Sequence, residues 1–204
     1  MFSRSLLVLA ACLLPASLFG QGADAYQVRY AANLNVPGNE SYIDIVNTGY
    51  VNGATPAGNI CVNVYVYATE PGPDNEEIQS CCSCLTTPNG LYNLGVNRDL
   101  LSNTLTGIHP GSVAIKLTGT LPVGGGCDPG APGALTSGVR AWGTTQHLNR
   151  GAWVTTETPF NAAFPASGSE IAKLSSQCGF IETIGSGFGI CASCRLGGLS
   201  KTAK

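Results

Sequence analysis

Apolar and polar residues alternate with a period of two along most of this chain, in runs bounded by glycine, proline and asparagine. The clearest run is Ile60 to Ala68. Ile60, Val62, Val64 and Val66 share one face, and Cys61, Asn63, Tyr65 and Tyr67 share the other, which predicts a central strand. Tyr42 to Val46, closed by Asn47-Thr48-Gly49, reads as another strand, as do Ile78 to Leu85 and Ser112 to Thr118. Val139 to Trp142 and Ala152 to Thr155 read as a strand pair. Pro71 to Asn75, Pro88-Asn89-Gly90 and the glycine- and proline-rich stretch 123–138 read as turns and loops. A helical period is clear once. Ser167 stands three residues before Glu170 as a capping box, Ile171, Leu174 and Cys178 share a face, and Gly179 marks the end. Asn97 to Thr104 suggests a short helical turn. Short strands, tight turns and one or two short helices predict a mainly β chain, an immunoglobulin-like β-sandwich.

One alternating run stands apart. Tyr26, Val28, Tyr30, Ala32, Leu34 and Val36 occupy every second position, and Pro37-Gly38-Asn39 follows as a hinge-like turn. Such a segment serves as the first strand of its own domain. It also has the form of an arm that completes the sheet of a neighbouring subunit, as in pilin donor-strand complementation. The expected organisation is a signal peptide over 1–25, an extended arm or strand over 26–38, and a sandwich domain over 39–204.

The leader is read from Arg4, the apolar stretch Ser5 to Phe19 and the small-x-small pattern Ala23-Asp24-Ala25, with cleavage after Ala25. Leu9-Ala10-Ala11-Cys12 also fits a bacterial lipobox, in which Cys12 would carry lipid. No other segment has the length and apolarity of a membrane span. Of the nine cysteines, eight remain without Cys12: Cys61, Cys81, Cys82, Cys84, Cys127, Cys178, Cys191 and Cys194. An exported chain with an even count reads as a disulfide framework. Adjacent Cys81 and Cys82 on a strand point to opposite faces, so they take different partners. Cys191 and Cys194 are expected to return to the Cys81–Cys84 region. The two Cys-x-x-Cys spacings, Cys81 to Cys84 and Cys191 to Cys194, would also suit zinc or a redox pair. Their distance along the chain and the export signal favour structural disulfides, with no metal and no cofactor.

Charged residues make up 11% and the net charge is −2. That excludes the concentrated cationic face needed for nucleic acid or for an anionic membrane surface. So weakly charged a surface is also poorly protected against self-association. The two histidines, His109 and His147, fall in stretches read as loops. There is no Gly-x-Ser-x-Gly elbow and no His-Glu-x-x-His, and Gly185 to Gly189 lacks the lysine of a phosphate loop. Asp44, Asp99, Asp128, Glu157 and Glu170 show no spacing that singles out a catalytic carboxylate pair. The expectation is that this is not an enzyme. Asn39-Glu40-Ser41 is a glycosylation sequon.

The stretch Gly58 to Tyr67, then Cys81-Cys82-Ser83-Cys84-Leu85-Thr86-Thr87-Pro88-Asn89-Gly90-Leu91, with Cys178-Gly179-Phe180-Ile181 and Gly185 to Cys191, resembles a family of exported, cysteine-rich proteins of environmental bacteria. The resemblance implies export and paired cysteines and carries no catalytic residue. The leading expectation is an extracellular structural protein, a pilus-like fibre subunit that joins head to tail by exchange of Tyr26–Val36. The alternative is a monomeric secreted binding module that recognises carbohydrate through Tyr65, Tyr67, Trp142 or Trp153.

Overall fold

The computed structural model describes residues 24–51, 55–56, 58–69, 77–163, 168–184, 186–192 and 194. Most of the expected leader, with Cys12, the 71–76 turn and the Ser167 cap lie outside these residues. The elements in chain order are β1 (Tyr26–Ala32), β2 (Ser41–Asn47), β3 (Tyr50–Val51), β4 (Thr55–Pro56), β5 (Ile60–Ala68), β6 (Ile78–Thr86), β7 (Leu91–Gly95), β8 (Ser112–Thr120), β9 (Val139–Asn149), β10 (Ala152–Pro159), β11 (Asn161–Ala162) and α1 (Gly168–Thr183). A single π-helical turn, Val96–Leu100, stands where the short helix was expected.

Two antiparallel sheets form the sandwich. One has the order β11-β1-β8-β5-β6 and the other β10-β9-β2-β7. Their facing sides supply one core that includes Ile43, Ile45, Val62, Val64, Val66, Ile115 and Leu117. The five-stranded sheet is buried on its second face too. There α1 lays Leu174, Cys178 and Ile181 over Tyr26, Tyr65, Tyr67 and Cys81. This explains why every residue from Ile60 to Tyr67 is buried although the strand alternates in polarity. Asn63, on the helix side, is fully engaged. Its Nδ2 donates to Thr118 Oγ1 and Thr120 Oγ1, and its Oδ1 accepts from Ser83 Oγ. β5 is an inner strand, but the middle position belongs to β8.

The cysteines pair as Cys61–Cys127, Cys81–Cys178, Cys82–Cys191 and Cys84–Cys194. Strand parity accounts for the pattern on β6. Cys81 faces the helix, while Cys82 and Cys84 face the inter-sheet core and take the returning C-terminal segment. That segment also pairs by its backbone, with Cys81 N–H donating to Gly189 O and Cys191 N–H to Cys81 O.

Three expectations are corrected. Gly179 does not end the helix, which continues to Thr183. The helix packs there against the 128–131 loop, and a Cβ on Gly130 would stand 2.6 Å from Gly179 Cα, so the glycine pair serves close approach. The β9–β10 pair is longer than read. It runs to Asn149 and places His147 within a strand, not a loop. Its turn is Arg150-Gly151, both at positive φ (50° and 83°), the two-residue geometry of a tight hairpin. Residues 144–149 give no apolar alternation because this end of the hairpin projects past the core. Finally, the arm does not keep one apolar face to Val36. The strand stops at Ala32, Asn33 turns at φ 59°, Leu34 enters the core and Val36 is exposed.

Candidate functional site

β1 is docked in its own sheet, in register with β8 from Tyr26 opposite Thr118 to Ala32 opposite Ser112. Its polar face points inward. Gln27 Nε2 donates to Val139 O, and Arg29, 7% exposed, donates from Nη2 to Thr145 Oγ1 at 2.8 Å and from Nε to Thr158 Oγ1 at 3.3 Å. The guanidinium lies over Gly143, where any Cβ would overlap it. Burial lowers the Arg29 pKa from its ordinary value. Of the alternating set, Tyr26 is buried and Val28 half-buried beside α1, whereas Tyr30 and Ala32 are exposed. Asp24 and Ala25, assigned by sequence to the leader, also belong to the fold. Asp24 pairs with Arg140, and Ala25 O accepts from Gly119 N.

Several sequence candidates are removed by burial. Tyr65 and Tyr67 lie in the core under α1, with Tyr65 Oη donating to Pro129 O and Tyr67 Oη to Gln177 Oε1. They cannot meet a carbohydrate, because the helix covers this face of the sheet. Asn39 is buried and donates from Nδ2 to Asn33 O, so the nitrogen that would carry a sugar is engaged within the fold. Among the described residues no group of three or more His, Cys, Asp or Glu is placed to hold a metal ion. His109 and His147 are exposed on separate elements.

The buried charges knit elements together. Lys116 Nζ reaches Glu170 Oε1 at 2.9 Å and lies 4.7 Å above the Tyr67 ring, joining the first turn of α1 to the middle of the sheet. Asp99 accepts from Gly95 N at 2.7 Å and pairs with Arg98, closing the π-helical turn. At the other end of α1, partial desolvation of the surface residue Glu182, the Asp128 charge and a hydrogen bond with Asp128 raise its carboxyl to about 7, partly offset by the Gly130 N–H.

The outer face of the four-stranded sheet is different. α1 lies on the other sheet, and over this face Arg98 of the π-helical turn stands 5.9 Å from the Tyr42 ring centroid. Cross-strand register places Pro159, Trp142, Asp44 and Asn93 in one row across β10, β9, β2 and β7. Trp142 is 41% exposed, and Asn93 Nδ2 donates to Asp44 Oδ1 at 2.8 Å. Along the hairpin the same face carries Thr144 opposite Glu157, Gln146 opposite Thr155, and Leu148 opposite Trp153, itself 48% exposed. Six residues along a strand span about 20 Å. The face is therefore a strip with an indole near each end and hydroxyl, amide and carboxylate groups between. Trp142 and Trp153 were legible as aromatic candidates. Asp44 and Asn93 were not chosen, and their alternation with Ile43, Ile45 and Leu94 was the signal that would have found them.

No family model matches the chain, and no curated protein matches it. Among solved structures, one described as Thermotoga maritima 1070 aligns with a TM-score of 0.40 and 9% identity, over 69% of this chain and 97% of that one.

Proposed function

We propose that this is an exported binding module that takes an extended glycan strand along the outer face of its four-stranded sheet. The observation that carries this reading is the open strip from Trp142 to Trp153. Indole faces stack on the apolar C–H faces of sugar rings. The Asp44–Asn93 pair and the Thr, Gln and Glu side chains between offer donors and acceptors to ring hydroxyls. Four disulfides suit the oxidising compartment in which such a ligand is met. The test is retention of the purified protein in gels cast with neutral and acidic polysaccharides. Trp142→Ala and Trp153→Ala should each weaken retention by about tenfold, which is about 1.4 kcal/mol, with the melting temperature kept. If no polysaccharide retains the protein, or the double variant is retained as well as the parent, the reading fails.

A second reading, a fibre subunit joined by exchange of Tyr26–Val36, is favoured by one observation. β1 lies before Cys61 and outside every disulfide loop, so it leaves its sheet without breaking a covalent bond. Exchange must first open the whole β1–β8 register and withdraw Arg29 from Thr145 and Thr158. Electron microscopy of the secreted protein decides it, since absence of filaments at high concentration rules the reading out.

A further inference from the structure

The sheet edges are not equally protected. β6 is covered by the backbone of Gly189 to Cys191, β1 is partly covered by β11, and β7 is five residues long. β10 is eight residues long, and every one of them is exposed. Its free backbone groups follow from the hairpin hydrogen bonds. Phe160 N–H donates to Ala141 O, opposite it in register, so residues 152, 154, 156 and 158 face β9. Trp153, Thr155 and Glu157 therefore turn both N–H and C=O away from the sheet, and Pro159 turns out only its C=O.

Natural edges are blunted by lysine, internal proline, bulges or short length. Ala152 to Thr158 contains no lysine and no proline, and the β9–β10 register is unbroken. We infer that this edge pairs with β10 of a second copy of the chain, as a two-fold antiparallel contact centred on Thr155. The strand is self-complementary in that register. Thr155 meets its symmetry mate, and Trp153 meets Glu157 of the second copy in both directions. Every outward N–H and C=O of these three residues then finds a partner. Pro159, which has no donor, falls opposite Gly151 in the partner's turn. The one charge on the strand, Glu157, lies beside an indole and not beside its own copy, and a net charge of −2 per chain opposes association little. The two four-stranded sheets become one continuous sheet, with both outer faces on the same side.

The experiment uses the purified exported protein in sedimentation equilibrium, with three variants. Thr155→Pro removes an outward N–H without touching a β9–β10 bond, so it should keep the melting temperature and raise the dimer dissociation constant at least about tenfold. Thr155→Cys should give a covalent dimer with a short bis-maleimide, because facing residues of a hydrogen-bonded antiparallel pair lie about 5.5 Å apart. Asn93→Cys, on the opposite edge of the sheet, should not. A parent that stays monomeric up to about millimolar concentration, a range in which even weak specific pairs assemble, overturns the inference. So does a dimer that survives Thr155→Pro, or cross-linking that is equal at positions 93 and 155, since the copies would then meet elsewhere.

Discussion

The two sheets of this sandwich are held by different means. All eight paired cysteines lie on the five-stranded sheet, on the helix above it or on segments that return to it, and none lies on β2, β7, β9 or β10. The stapled sheet is buried on both faces over β5 and β8. The unstapled sheet is dry on one face and holds β1 through the Arg29 bonds to Thr145 and Thr158. Covalent locking is thus concentrated where the chain is already most buried, and the open face rests on non-covalent packing alone. Open face and rigid frame are separated between the layers.

The largest expected effect is on the stapled side. Cys61→Ala with Cys127→Ala opens a loop with a sequence separation of 66 that no other bridge closes and should cost about 3–5 kcal/mol in urea denaturation. A loss under 1 kcal/mol would mean that packing, and not the bridge, holds that layer. Next comes the unstapled side. Gly143→Ala drives a Cβ into the Arg29 guanidinium and should cost about 2–3 kcal/mol. Adding Arg29→Ala should recover part of that loss, and strict additivity in a double-mutant cycle would refute the contact. On the open face, Trp142→Ala should change stability by less than about 1 kcal/mol, because the ring is exposed.

The remaining effect is on pH. Glu182 holds its proton up to about 7 when folded, against an ordinary value of 4.5. The unfolded chain releases that proton first, so stability should fall as pH rises from about 4.5 to about 7 and level off above. Glu182→Gln should flatten that decline in a series of melting curves. A parent curve that rises over the same range would reverse the sign.

Much of the frame was legible before the structure. β2, β5 and β8 follow the period-two pattern, and the opposite pointing of Cys81 and Cys82 foretold separate partners for them. What escaped is explained by burial that one-dimensional pattern does not carry. Tyr65 and Tyr67 look like one polar-leaning face of a strand until a helix covers them. Arg29 looks solvent-directed until Thr145 and Thr158 meet it from the other sheet. Residues 144–149 are polar except for Leu148, so they carry no period although they form a strand. Asn39 has the sequence of an acceptor site but spends its amide on Asn33 O. The leader boundary is affected in the same way. Asp24 and Ala25 make contacts within the fold, so if a leader is cleaved, N-terminal sequencing of the product should begin at or before Asp24.

The position of the first bridged cysteine also sets how the molecule would bear load. Pulled between Asp24 and Cys194, the chain before Cys61 can peel away strand by strand. That releases residues 24–60, roughly 130 Å of contour length. Extension then continues only through the chain from Cys61 to Cys84, where the Cys84–Cys194 bridge carries the load past every later element and stops it. The protein would behave as a short tether with a fixed limit, yielding first and then holding.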